Sequence, residues 1–97
     1  MTKEEFLDTL TKLGFEKNNS GDDWVKHGFD TWWKGSRGKR IFVNVHRGAE
    51  GGVLLNNVPG ISDPSWYYED TPMPCDKALA IIMSYILFGK AEIDEEA

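Results

Sequence analysis

Apolar residues along the first fifteen positions recur at the spacing of one helix face. The stripe consists of Phe6, Leu7, Leu10 and Leu13. Thr2 and Glu5 have the spacing of a capping box, in which each side chain accepts a hydrogen bond from the other residue's backbone N–H. Gly14 suits the left-handed position that ends many helices. The pattern therefore predicts a first helix over residues 3–13.

Apolar and polar residues then alternate with the period of β-strands. The predicted strands cover residues 24–27, 29–34, 40–46 and 53–58, the last being short. Gly28 separates the first two strands. The glycine-containing turn 35–39 closes the next two into a hairpin with a five-residue loop. The pattern predicts an antiparallel sheet of three or four strands.

The predicted hairpin carries two adjacent tryptophans, which must point to opposite faces of the sheet. Ile41, Val43 and Val45 share one face of their strand, and we predict that this face packs against the core. Phe29 and Thr31 share a face with Trp33, which favours Trp33 as the core residue and Trp32 as the outer one. Because Thr31 is an imperfect guide, the reverse assignment stays open.

A second helix is predicted over residues 75–88, with Gly89 as its stop. Its polar stripe is thin, so the helix is either deeply buried or shares an apolar face with another subunit. We therefore predict a homodimer through helix 75–88. The proline-interrupted segment 61–74 predicts a packed loop. The fold class is α+β: one domain over residues 1–89, with an N-terminal helix, a sheet and a C-terminal apolar helix, followed by an acidic tail 90–97.

Charge is distributed unevenly along the 97 residues, which carry a net charge of -5. Residues 1–25 have net charge -3, residues 26–49 have +5 and residues 50–97 have -7. A basic middle between acidic ends has two explanations. The basic segment either faces the acidic segments of the same chain or binds a ligand.

Candidate chemistry is sparse, and no catalytic residue is predicted. His27, His46 and Cys75 form no short ligand pair, so we predict no metal site and no cofactor. Phosphate-binding loops, dinucleotide fingerprints and nucleophile elbows are missing from the sequence. The N-terminus has no signal-like apolar stretch, and the longest apolar run, 78–83, is too short to span a bilayer. We therefore predict a cytoplasmic protein that does not contact a membrane.

Three short motifs resemble the HicA toxins, the mRNA-cleaving half of a toxin–antitoxin pair. The motifs are Leu13-Gly14-Phe15, Gly38-Lys39-Arg40 and Val43-Asn44-Val45-His46-Arg47-Gly48. The resemblance covers residues 3–48 and implies a fold of the double-stranded-RNA-binding type. Where the family has Gly-Ser-His, this chain has Gly28-Phe29-Asp30, so the catalytic histidine is missing. The resemblance implies a shape more than an activity.

The leading functional hypothesis is a small non-enzymatic protein that occupies a larger partner. Its size and acidity resemble those of phage-encoded inhibitors, such as anti-restriction and anti-CRISPR proteins, some of which mimic DNA. Spaced carboxylates can compete for a basic nucleic-acid groove. The predicted contacts are Asp22, Asp23, Glu69, Asp70, Glu92, Asp94, Glu95 and Glu96.

The alternative hypothesis is an RNA- or DNA-binding module, or a degenerate HicA-like nuclease, that uses the basic hairpin 31–47. Aromatic residues interleaved with bases can stack nucleobases and hold phosphates, and they are also typical of protein interfaces. A third interpretation is that residues 66–68 or the second helix cover Trp32 and Phe42. The alternative face consists of Trp32, Lys34, Arg37, Lys39, Arg40, Phe42 and His46.

Overall fold

The computed structural model describes residues 1–18, 23–36, 40–48, 51–58 and 72–88. The elements within these ranges are α1 (Lys3–Lys12), β1 (Glu16–Lys17), α2 (Asp23–Lys26), β2 (Phe29–Lys34), β3 (Ile41–His46), β4 (Val53–Asn56) and α3 (Cys75–Phe88). The strands form one antiparallel sheet in the order β1-β2-β3-β4. The predicted α+β fold, with a helix before and after an antiparallel sheet, is confirmed.

Both ends of α1 are set by local hydrogen bonds that the sequence predicts. The Glu5 backbone N–H donates to Thr2 Oγ1 at 3.1 Å, and the Thr2 backbone N–H donates to Glu5 Oε1 at 2.7 Å. At the other end Gly14 has a φ of 92°, which a side chain would disfavour. The Phe15 N–H then donates to the Leu10 carbonyl at 3.0 Å, closing the last turn.

One face of the sheet, the helix-covered face, packs against α1 and α3 to form the core. Its buried members are Phe6 and Leu10 from α1, Ala78, Ile81 and Ile82 from α3, and Ile41, Val43, Val45, Val53 and Leu55 from the sheet. Burying each large apolar side chain contributes about 1.5–3 kcal/mol. The helix-covered face therefore supplies most of the hydrophobic stabilisation within the described ranges.

The opposite face of the sheet, the second face, is also buried but carries polar residues. Thr31, Asn44 and Asn56, the polar row, lie on three adjacent strands and are at most 3% exposed. Thr31 Oγ1 donates to Asn44 Oδ1 at 2.8 Å, and Asn44 Nδ2 donates to Asn56 Oδ1. Phe29 and Leu54 form a small apolar cluster on the same face. Burial of this row depends on these hydrogen bonds, because unpaired buried polar groups are costly.

The predicted assignment of the two tryptophans is wrong. Lys34 pairs with Ile41, so six residues rather than five separate β2 from β3. A shift of one residue moves every side chain of a strand to the other face relative to its neighbour. Trp32 therefore pairs with Val43 and packs against the core, whereas Trp33 pairs with Phe42 on the second face.

The strand predicted over residues 24–27 is also wrong, because α2 occupies this segment. Both edges of β2 are already paired, one with β3 and the other with β1, so residues 24–27 could not pair with β2 as a strand. The predicted fourth strand is confirmed as β4, and Met73 adds a single bridge to Val53. Most of the loop 61–74 and the whole tail 90–97 lie outside the described residues. Within the described ranges, none of the helices has the length and apolarity needed to cross a membrane.

Candidate functional site

The acidic residues predicted to contact a partner lie almost entirely outside the described part of the chain. Those outside it are Asp22, Glu69, Asp70, Glu92, Asp94, Glu95 and Glu96. Asp23 is the first residue of α2. The described geometry therefore leaves this acidic set as a prediction.

The alternative face does not form one surface. Trp32 and Lys34 pair with Val43 and Ile41, which places them on the helix-covered face. Phe42 and His46 alternate with those core positions and lie on the second face. These residues were predicted to share a face because the predicted register of the hairpin was wrong by one residue. Arg37 and Lys39, also predicted for this face, lie outside the described residues.

The described bases of this segment are held by contacts within the fold. Lys34 Nζ donates to the Leu13 carbonyl at 2.6 Å, which ties β2 to the end of α1. The Arg40 guanidinium lies 4.0 Å from the centroid of the Trp33 ring, in a cation–π contact. Lys34 and Arg40 are thus engaged within the fold, although neither contact is with an acidic residue.

His46 is enclosed by backbone rather than by other ligand side chains. Its Nδ1 accepts a hydrogen bond from the Gly48 N–H at 2.9 Å, so the neutral ring carries its proton on Nε2. The ring meets Phe29 edge-on, with centroids 4.9 Å apart. Among the residues that the structure describes, no three of His, Cys, Asp and Glu lie close enough to hold a metal ion.

A cleft of about 200 Å³ lies beside α1, on the side of the sheet that ends in β1. It is lined by Lys3, Leu7, Lys17, Asp30, Trp32, Val45, His46 and Arg47. The pairs Lys17–Trp32 and Asp30–Val45 face each other across adjacent strands, which brings their side chains to one end of the helix-covered face. The strand register assembles this site from four parts of the sequence.

Hydrogen bonds and ion pairs organise the charged wall of the cleft. Lys3 Nζ donates to the His46 carbonyl at 2.5 Å and also to the Gly48 carbonyl. Asp30 is shared by two bases: its Oδ1 accepts from Arg47 Nε at 2.9 Å, and its Oδ2 lies 3.8 Å from Lys17 Nζ. Two bases therefore contact the Asp30 carboxylate, and Lys3 is a third base that lines the same cleft.

Sequence reasoning missed this cleft as a site, although it singled out Trp32 and His46 for another surface. The only local signals were the i, i+4 spacing of Lys3 and Leu7 on α1 and the alternation of Asp30 with Trp32 on β2. Neither signal indicates which strand lies beside the helix. The site depends on the register between β2 and β3, and the register predicted from the sequence was wrong by one residue.

Comparisons with known proteins assign no family to this chain. No family model matches it, and neither curated proteins nor solved structures give a significant match. Function must therefore be inferred from the residues and their geometry.

Proposed function

We propose that this protein is a non-enzymatic binding protein that occupies the nucleic-acid-binding surface of a larger partner. It would act as a phage or mobile-element inhibitor of the DNA-mimic or anti-CRISPR class. The partner surface is basic, and the acidic segments of this chain compete there with nucleic-acid phosphates.

The engagement of the bases within the fold is the observation that supports this proposal most. Lys34 contacts the end of α1, Arg40 lies over Trp33, and Arg47 is paired with Asp30. These residues belong to the only strongly basic segment of the sequence, and they do not share a surface. A continuous basic face for nucleic acid is therefore disfavoured among the described residues.

The distribution of carboxylates supports the same proposal. The described ranges contain eight of the eleven bases and seven of the sixteen acids, a net charge of +1. The remaining positions contain three bases and nine acids, a net charge of -6. Along the sequence the acidic excess lies in residues 1–25 and 50–97, which have net charges of -3 and -7. Such segments suit competition for a basic groove, which weakens as salt rises.

The decisive experiment is capture from the native host with DNA as a competitor. The tagged protein should retain a nucleic-acid-binding protein at low salt, and duplex DNA should release it. A variant with Glu92→Gln, Asp94→Asn, Glu95→Gln and Glu96→Gln should lose most of this retention. The matched control neutralises four carboxylates of the described body: Glu4→Gln, Asp8→Asn, Glu16→Gln and Asp76→Asn, all of them exposed.

Equal loss of capture by the two variants would contradict a role for the tail. Saturable binding of RNA or duplex DNA by the purified protein at low salt would contradict the proposal itself. That result would instead favour the alternative, a nucleic-acid-binding module or degenerate HicA-like nuclease.

We also propose that the end of α3 mediates the predicted self-association. Ile82 is buried, but Ile86 is 37% exposed and Leu87 is 66% exposed. Exposed apolar side chains on one helix end can pair with a second copy of the chain. Sedimentation at high protein concentration should detect a dimer that Leu87→Glu weakens. A monomer at every concentration would contradict this part of the proposal.

A further inference from the structure

We propose that the cleft beside α1 binds a small organic oxyanion, a phosphate or carboxylate carried on a flat apolar group. This inference is independent of the proposed inhibitory function, because it uses neither the acidic segments nor the end of α3. It rests on three bases, one shared carboxylate and an apolar wall that includes a tryptophan.

Lys3 provides a fixed positive charge at one end of the cleft. Two of its three N–H donors are directed to the carbonyls of His46 and Gly48. Carbonyl oxygens hold the ammonium in place without cancelling its charge. Lys3 forms no ion pair with any carboxylate in the described part of the chain. One N–H donor and a full positive charge therefore remain for a ligand.

Arg47 provides a second set of donors across the cleft. Its Nε is paired with Asp30, and its Nη2 donates to the carbonyls of Val25 and Phe29 at 3.2 and 3.3 Å. Within the described ranges its Nη1 group makes no hydrogen bond. The other bonds fix the guanidinium plane and leave the N–H groups of Nη1 to donate to an oxygen of an anion.

Lys17 completes the positive wall from the edge strand β1. Its side chain is 50% exposed and its Nζ is 3.8 Å from Asp30, a looser contact than that of Arg47. Among the described residues that line the cleft, three cations and one carboxylate leave two positive charges uncompensated. Because the cleft is partly enclosed, these charges are less screened by water than those of an exposed surface.

The other wall of the cleft is apolar and favours a ligand whose anionic group is attached to an apolar group. Leu7, Trp32 and Val45 line it, and Trp32 is half-buried with part of its ring accessible. Aromatic rings pack favourably on an indole. A volume of about 200 Å³ is below the roughly 300–1,000 Å³ of sites for drug-sized ligands. The geometry therefore suits one ring and one oxyanion.

The test is a titration of the full chain followed by two-dimensional NMR of its backbone amides and indole N–H groups. The probes are phenyl phosphate, benzoate, inorganic phosphate and benzyl alcohol. Phenyl phosphate or benzoate should give saturable shifts at Trp32 and Gly48, and their relative affinity identifies phosphate or carboxylate as the preferred anion. Inorganic phosphate should bind more weakly, and benzyl alcohol should cause no saturable shift. Absence of saturation by both aromatic anions at millimolar concentration would overturn the inference.

Two variants that each remove one positive charge distinguish binding in the cleft from non-specific electrostatic attraction of the anion to the protein. Lys17→Gln should weaken the preferred aromatic anion by about tenfold, as expected for loss of a charged hydrogen-bond donor. It should also leave thermal unfolding unchanged, because Lys17 lies on a two-residue edge strand. Lys12→Gln is the control, since Lys12 is 76% exposed and does not line the cleft. Equal weakening by the two substitutions would overturn the inference.

A third variant tests the contribution of the positive charge of Lys3. Lys3→Gln removes the ammonium but keeps a hydrogen-bond donor for the Gly48 carbonyl. The expected result is again about tenfold weaker binding, together with a smaller dependence of affinity on salt. Unchanged affinity and salt dependence in both Lys3→Gln and Lys17→Gln would also overturn the inference.

Discussion

The two faces of the sheet are both buried, but they are buried in chemically different ways. The helix-covered face is filled by aliphatic and aromatic side chains, among them Phe6, Val43 and Ile82. The second face buries Asn44 at its centre, hydrogen-bonded to Thr31 on one side and to Asn56 on the other. Burial of apolar side chains stabilises the folded state and depends little on their relative orientation. A polar row supplies little net free energy, but its hydrogen bonds demand one arrangement.

The comparison explains how one register is selected. A slip of one residue in β3 would move Asn44 to the helix-covered face and a valine to the second face. The buried amide would then lose its partners, at a cost of about 1–3 kcal/mol. The apolar face alone would penalise such a slip less, because both faces of the hairpin contain large apolar residues. The polar row thus contributes specificity, and the helix-covered face contributes stability.

The largest expected effect belongs to the helix-covered face. Phe6→Ala should reduce the free energy of unfolding by about 3–5 kcal/mol, because it leaves a cavity under α1. Urea denaturation measures this change. Lys12→Ala is the control on the exposed side of α1 and should change it by less than about 0.5 kcal/mol. Similar losses from both substitutions would contradict the assignment of Phe6 to the buried face of α1.

Removing the centre of the polar row should have an intermediate effect. Asn44→Ala should cost about 1–3 kcal/mol, because it removes the hydrogen bonds of Asn44 with Thr31 and Asn56. A triple variant, Thr31→Val, Asn44→Leu and Asn56→Leu, removes all three polar groups together. It should recover part of the stability while broadening the amide NMR signals of β3, as register specificity is lost. Sharp signals from the triple variant would contradict a role of the row in register selection.

A smaller effect is expected for the contact between Arg40 and Trp33 on the second face. A double-mutant cycle with Arg40→Met and Trp33→Leu should give a coupling energy of about 0.5–2 kcal/mol for the cation–π contact. Arg40→Lys tests whether the planar guanidinium matters, and it should retain less than the full coupling. A coupling energy near zero would show that the two side chains contribute independently.

The smallest effect concerns the capping box that starts α1 beside the helix-covered face. Hydrogen bonds from the backbone N–H and the side chain of Thr2 lower the pKa of Glu5 below its ordinary value of 4.5. Because the pKa of Glu5 is lower in the folded state, the stabilisation of the folded state by the ionised Glu5 carboxylate is complete above pH 4.5. It declines as pH falls below 4.5 and is lost below the lowered pKa. Glu5→Gln should therefore flatten the dependence of stability on pH only in this acidic range. An unchanged profile would contradict the capping contribution.

Local patterns predicted those elements whose determinants are close in sequence. The capping box and Gly14 set both ends of α1, and the apolar density of residues 75–88 gave α3. The alternation in 29–34 gave β2 with its bounds. The faces of the hairpin could not be obtained in this way, since they depend on whether five or six residues separate the strands. One residue in that count reverses the positions of Trp32 and Trp33.

The cleft could not be predicted for a related reason. Lys3, Lys17, Asp30 and Arg47 are distant in sequence, and each is an ordinary charged residue in its own segment. Their convergence depends on the pairing of β1 with β2 and on the position of α1 over that edge. Sequence charge indicated a basic middle but not which of its bases would face one another.

The enclosure of His46 limits which sequences can share this fold. A methyl group added at Gly51 would overlap the imidazole, and one added at Gly48 would lie 2.9 Å from Nδ1. A smaller residue at 46 would make room for a side chain at 48, whereas a side chain at 51 would still lie 2.4 Å from the Cβ at position 46. Among natural variants or in a saturation library, positions 46 and 48 should vary together, so that alanine at 48 is enriched when the histidine is replaced by a small residue, whereas position 51 should stay glycine.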